Sequence, residues 1–326
     1  MKLPHRRQFL RLAAGAAALP AVSRIARAQA YPTRPVRIIV GFPPGGPTDF
    51  HARLMGQWLS EQLGQQFIIE NRPGAGGNTG TEAVVRAPPD GYTLLLASSL
   101  DAINATLYDR LPFNFLRDIA PVAGIIRNQL VVEVNPTFPV KTIPELISYA
   151  KANPGKVNMA SPGNGIPQHI AGELFKMMTG VSMVHVPYRG EAPALTNLIS
   201  GQVQVMLGTV TASLAYIRAG KLRALAVSTG TRSEALPDVP SVADFVPGYE
   251  ASTWAGIGAP KGAPAELIER LNREINAGLQ SPGIKARYAD LGATAFAGSP
   301  ADFGKFIAED TEKWAKVIKF ANIRAE

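Results

Sequence analysis

The chain has 326 residues, a formal net charge of +8, 46% apolar residues and no cysteine. The missing thiols exclude disulfides, thiolate nucleophiles and Cys-type metal sites together, and this apolar share with mixed charge excludes a disordered chain. Six basic residues (Lys2, Arg6, Arg7, Arg11, Arg24, Arg27) crowd into residues 1–30 with no acid, so the remainder carries only +2 and holds no dense basic, aromatic-interleaved tract for nucleic acid.

The first predicted element is a leader. Arg6-Arg7-Gln8-Phe9-Leu10-Arg11 is a twin-arginine stretch, and residues 12–19 form an Ala-rich apolar run. That run is far shorter than the ~20 residues a bilayer needs. Ala28-Gln29-Ala30 is a small-residue cleavage site. We expect a signal peptide over 1–30, export by the twin-arginine route, cleavage after Ala30 and a periplasmic location. The about 296 residues that follow exceed one ordinary core and imply two lobes.

Strand, glycine-containing loop and helix then alternate. Val36 to Val40 is a buried-strand run, and Phe50, Leu54, Trp58, Leu59 and Leu63 recur at helical spacing up to Gly64. Residues 66–70 and 92–97 read as strands with a short helix, 79–86, between them. After a long extended segment, 119–134, the alternation resumes. Helices are expected at 141–151, 167–179, 192–200 and 212–219, and strands at 157–160, 181–186, 202–207 and 222–228. A strand over 252–259 and helices over 265–280 and 301–323 follow. Such alternation gives an α/β fold of mostly parallel sheet flanked by helices. Long connections near 119–134 and 245–259 suit two crossover strands acting as a hinge. The expected lobes are 31–126 plus 250–326, and 127–249.

Ligands of open α/β sheets gather at strand carboxyl ends, where helix N-termini attract anions. Three loops have that form. The first is Gly41-Phe42-Pro43-Pro44-Gly45-Gly46-Pro47-Thr48-Asp49, whose glycines admit close backbone approach and whose prolines stiffen it. It matches neither nucleotide fingerprint, and a plain strand–helix turn is the alternative. The second, Ser161-Pro162-Gly163-Asn164-Gly165 with Gln168 and His169, offers a hydroxyl, an amide and backbone N–H groups. The third, Pro187-Tyr188-Arg189-Gly190, offers a ring for stacking and a guanidinium for a carboxylate or for a structural ion pair. A bulky side chain at Gly45 or Gly163 is expected to abolish binding and spare the fold. There is no G-x-S-x-G elbow and no H-E-x-x-H, and His51, His169 and His185 are too dispersed for a metal. No catalytic residue, metal or cofactor is expected. Trp58 and Trp314 read as core, and Trp254 as a weaker candidate for a cleft wall.

These pieces resemble a known family. Tyr31-Pro32 with Arg34-Pro35-Val36, Phe42-Pro43-Pro44-Gly45-Gly46 with Asp49 and Ala52-Arg53, and Glu70-Asn71-Arg72-Pro73-Gly74-Ala75-Gly76-Gly77 carry the likeness. So do Pro89-Asp90-Gly91-Tyr92, Gly163-Asn164-Gly165 with His169, Val186-Pro187-Tyr188-Arg189-Gly190 and Leu236-Pro237-Asp238-Val239-Pro240. In this order they resemble the Bug-type, or TctC-type, substrate-binding receptors of tripartite tricarboxylate transporters. The resemblance implies a two-lobe, type II-like periplasmic-binding-protein fold with its ligand between the lobes. It implies that Phe42, Pro43, Pro44, Gly45, Gly46, Thr48 and Asp49 face Ser161, Gly163, Asn164, Gly165, His169 and Tyr188. Ser98 and Ser99 join them by strand-end position, and Thr209 lies in a loop that helps define the ligand. Two departures stand out: Gln204 where the family commonly has Asp, and the Gly208-Thr209 pair.

The implied ligand is a small carboxylate: a di- or tricarboxylate, an amino acid or an aromatic acid. Implied partners are membrane transporter subunits or a sensor kinase, no nucleic acid, and a monomeric receptor. A periplasmic hydrolase acting on a small anion is the alternative.

Overall fold

The computed structural model describes residues 31–325. The expected leader and its cleavage site lie outside the described residues. The first strand, β1 (Val36–Val40), buries every side chain but Arg37. Helix α1 (Pro47–Leu63) carries its proline in the first turn, where a missing N–H costs nothing. Gly64 ends it at φ 70°, with its N–H on the Ser60 carbonyl. Ala52, Met55 and Leu59 form its fully buried face.

Strand β2 (Phe67–Asn71), α2 (Asn78–Val85), β3 (Thr93–Ser98), α3 (Ser99–Leu107) and the single turn α4 (Phe115–Asp118) follow. The long strand β4 (Ile119–Val134) leads to α5 (Ile143–Ala152), β5 (Val157–Ser161), α6 (Pro167–Thr179) and β6 (Met183–Pro187). Next come α7 (Glu191–Ile199), β7 (Val205–Thr209), α8 (Val210–Arg218) and β8 (Arg223–Val227). The last are β9 (Ser252–Pro260), α9 (Ala265–Gln280), α10 (Pro282–Asp290), β10 (Ala293–Ala295) and α11 (Pro300–Ala321). The sequence reading does not anticipate α3, α4, α10 or β10.

Among the described residues the strands form one path, β2-β1-β3-β9-β4-β7-β5-β6, with β8 and β10 also on β4. β1 is parallel to β2 and β3, and β5 is parallel to β6 and β7. β9 is antiparallel to both β3 and β4. β4 changes partners along its length: Ile119 to Gln129 pair with β9, then Leu130 to Val134 pair with β7 and β8. Two half-sheets therefore share one strand. At the change of partner the buried Ser228 hydroxyl accepts the Leu130 N–H at 2.9 Å and donates to the Ala251 carbonyl at 2.6 Å. One side chain thus ties β4 to the segment leading into β9.

Two large cores hold the layers. Phe303, Ile307, Trp314 and Val317 of α11 pack with Ile103 and Leu107 of α3 and with Leu174 and Phe175 of α6. Met55 and Leu59 of α1 pack with Leu271 and Ile275 of α9. Each such side chain contributes roughly 2 kcal/mol by leaving water. At the mouth of β1 a Cβ on Gly41 would stand 2.6 Å from the Gly77 carbonyl oxygen, so these two loops meet backbone to backbone.

Candidate functional site

A cavity of about 980 Å³ opens at the carboxyl ends of β1, β3 and β7. The loop before α1 and the first turns of α3, α6, α7 and α8 all contribute to its wall. Asn128 and Thr253, partners in the β4–β9 ladder, line it as well. A smaller cavity of about 280 Å³ beside α11 has only apolar lining residues such as Phe115, Leu116, Phe303 and Ile307. It offers a charged solute nothing.

Two helix starts in the large cavity are built alike. Residues 45–49 read Gly-Gly-Pro-Thr-Asp and residues 165–169 read Gly-Ile-Pro-Gln-His. In each, the leading glycine is left-handed, Gly45 at φ 85° and Gly165 at φ 69°. In each, the glycine N–H is held by the side chain four residues on: Gly45 by Asp49 Oδ2 at 2.9 Å, Gly165 by His169 Nδ1 at 3.1 Å. In each, proline occupies the first turn and no side chain caps the helix. An ordinary helix start spends its N–H groups on a Ser, Thr, Asp or Asn at the cap. These two keep theirs, with the positive end of the helix dipole, at a cavity wall. The start of α7 also lacks a side-chain cap but has no such glycine-to-side-chain brace, whereas α3 is closed by a Ser98–Asp101 capping box and α8 by the Thr209 hydroxyl.

The predicted site residues divide accordingly. Phe42, Pro43, Pro44, Gly45, Gly46, Thr48, Ser98, Ser99 and Thr209 line the cavity. Asp49 stands behind its loop, 2% exposed, where it also binds Arg53 Nε at 2.7 Å and Asn71 Nδ2 at 2.9 Å. The hydrogen bonds from Arg53, with those from Gly45 and Asn71, hold its carboxyl down to about 2 against the effect of burial. His169 is the matching brace, stacked on His185 at 3.6 Å between ring centres. The Ser161 hydroxyl donates to the Gly163 carbonyl of its own loop at 2.7 Å and lies 2.6 Å from His185 Nε2 of β6. Gly163, Asn164 and Gly165 shape the turn but lie outside the lining, which takes Ile166, Pro167 and Gln168 instead. Tyr188 packs against the apolar cluster of Ala160, Ala194 and Leu195, and Arg189 is exposed and outside the lining.

Several lining residues carry no local sequence signal. Asn128 and Thr253 sit in strands whose pairing is tertiary. Trp254, weakly suggested by its strand, is fixed in the wall by an indole N–H bond to Asp310 Oδ2 at 2.8 Å. His51 and Glu191 are the two ionisable residues of the lining, which contains no Lys or Arg. Burial pushes His51 down to about 4, so it is neutral at pH 7. An anion placed there would be met by N–H groups, hydroxyls and amides rather than by a cationic side chain.

Comparison with known proteins gives concordant matches. The family of the tripartite tricarboxylate transporter receptor, TctC, matches over residues 51–323. Protein BugT of Bordetella pertussis is 39% identical over 295 residues, 90% of each chain. A Rhodopseudomonas palustris protein solved with adipate is 37% identical, with a TM-score of 0.76 over 90% of this chain and 99% of that one. MatC from the same organism, solved with malate, is 30% identical, with a TM-score of 0.73 over 88% of this chain and 100% of that one.

Proposed function

The chain belongs to the tripartite tricarboxylate transporter receptor family, whose members are receptors rather than enzymes, and from that membership we propose that it is a periplasmic solute-binding protein for a small organic carboxylate. The observation that carries the reading is the pair of uncapped, alike-built helix starts at Gly45–Asp49 and Gly165–His169, both serving one cavity. The adipate and malate held by two relatives support it, being small carboxylates. One carboxylate end accepts hydrogen bonds from the loop before α1. The start of α6 closes over it as residues 127–249 swing toward residues 31–126 and 250–326. β4, β9 and the Ser228 tie are the hinge, because β4 runs from one half-sheet into the other and the Ser228–Ala251 segment returns the chain from β8 to β9. The loaded, closed form is then read by membrane transporter subunits or by a sensor.

The test is a thermal-shift screen of the exported form against organic acids, followed by mass spectrometry of the recovered ligand. A solute at 100 times its Kd stabilises the protein by about 2.7 kcal/mol, on the order of 5 °C in Tm at this size. The reading predicts such a shift with the acid returned unchanged. Turnover of the acid contradicts it, and so does a screen in which no carboxylate moves Tm.

A further inference from the structure

Glu191 does not fit a cavity made only for anions. It is the first residue of α7 and lines the wall. Its Oε1 accepts the Thr209 N–H at 2.6 Å, and the Thr209 hydroxyl lies 3.0 and 3.1 Å from the two carboxylate oxygens. These contacts give Glu191 a structural role, joining the starts of α7 and α8. They supply only two donors, however, and a carboxylate accepts about four hydrogen bonds.

Glu191 is only half-buried in the wall, so its remaining acceptor capacity is open to a group bound in the cavity. No Lys or Arg lines the wall, and His51 is neutral there. Burial raises the Glu191 carboxyl above its ordinary value against the two Thr209 hydrogen bonds; an ammonium beside it would favour its charged form, whereas a dicarboxylate would set two negative charges against it with no cation opposite. A solute carrying one carboxylate and one ammonium would satisfy both features. Its carboxylate would meet the uncapped starts of α1 and α6, and its ammonium would meet Glu191. Like-charge rejection of this kind is how binding sites separate isosteric ligands.

Resting on the receptor reading above, we infer that the solute is a small amino-bearing carboxylic acid and that Glu191 is the residue that selects its ammonium end over a second carboxylate. Recognition by a charge-assisted N–H···O bond adds direction to the Coulomb attraction.

The experiment is calorimetric titration with matched sets of three- to six-carbon acids: the unsubstituted monocarboxylate, the dicarboxylate, the ω-amino acid and the α-amino acid. Wild type is compared with Glu191→Gln, which keeps an acceptor oxygen for the Thr209 N–H. Wild type should bind an amino acid at least tenfold tighter than the dicarboxylate of its length. Glu191→Gln should lose at least tenfold for that amino acid while holding or improving its affinity for the dicarboxylate. A wild type that binds a mono- or dicarboxylate as tightly as any amino acid overturns the inference and leaves the receptor reading standing. A variant that weakens every acid equally also overturns it, reducing Glu191 to its structural bonds. If no acid of any class binds, both fall.

Discussion

Replacing Gly46 with leucine should lower affinity for the protein's carboxylate by at least about 100-fold, roughly 2.7 kcal/mol, with little loss of stability. Gly46 lines the cavity, and its backbone at φ −82°, ψ 172° is open to any residue. A Cβ there would have only the Pro43 carbonyl oxygen near it, at 3.8 Å. The substitution therefore strains nothing, and a leucine at the cap costs about 1 kcal/mol at most relative to glycine. What it does is fill the space before the free N–H groups of α1. The informative control is Gly163→Leu, where a Cβ would also have room, its nearest neighbour being Ile166 Cγ2 at 3.7 Å. Gly163 lies outside the lining, so affinity should change by less than about threefold, under 1 kcal/mol. The sequence reading treats Gly45 and Gly163 as equivalent blocking sites; the structure separates them. Gly45, at φ 85°, would add backbone strain to any steric block. Titration of both leucine variants, with Tm as the check on folding, decides the matter. Equal losses at Gly46 and Gly163 would contradict this placement of the solute.

The second large effect concerns pH. Glu133 is fully buried in β4, with one oxygen on the Ser213 hydroxyl at 2.7 Å and the other without a partner among the described residues. Burial, with the nearby Glu191 charge added and the Ser213 hydrogen bond opposing, pushes its carboxyl up to about 8. In the unfolded chain it ionises near 4.5. The folded protein thus binds the proton more tightly. Its stability advantage is full below pH 4.5 and is lost as pH rises toward 8. Between pH 5 and pH 8 the loss from this group is on the order of 3 kcal/mol.

Glu133→Gln removes the titration and keeps the shape. Urea unfolding of both proteins at pH 5 and pH 8 should show the variant gaining about 3 kcal/mol relative to wild type across that interval. His51 and His185, both pushed down to about 4 by burial, act in the opposite sense as pH rises toward 6.5. They are common to both proteins and cancel in the difference. Parallel stability curves for the two proteins would show that Glu133 ionises without penalty.

Much of this architecture is legible in the sequence because glycine and proline mark it. Gly64 and Gly180 end helices in the left-handed region, and Pro47 and Pro167 open them, so α1 and α6 can be drawn from the chain. α3 escapes because Ser98 and Ser99 are read as the polar end of a strand, and the capping box that Ser98 forms with Asp101 is seen only in the structure. The matching of residues 45–49 with 165–169 is present in the sequence, but its meaning is spatial. Asp49 and His169 are expected as ligand contacts, and the fold gives each of them a glycine N–H to hold, which no local pattern announces. Asn128 and Thr253 carry no local mark, since only the β4–β9 register sets them side by side. Gly208, a departure from the family pattern, has its reason in packing: a Cβ there would collide with the Glu133 carboxyl.

The most direct measurement is a crystal structure of the protein with the acid identified in the thermal-shift screen. The account predicts a carboxylate in the 980 Å³ cavity, accepting hydrogen bonds from the backbone of the Gly45–Thr48 loop, with the start of α6 closed against the same ligand. A ligand seated elsewhere, or one held in that cavity without contact to the starts of α1 and α6, would contradict it.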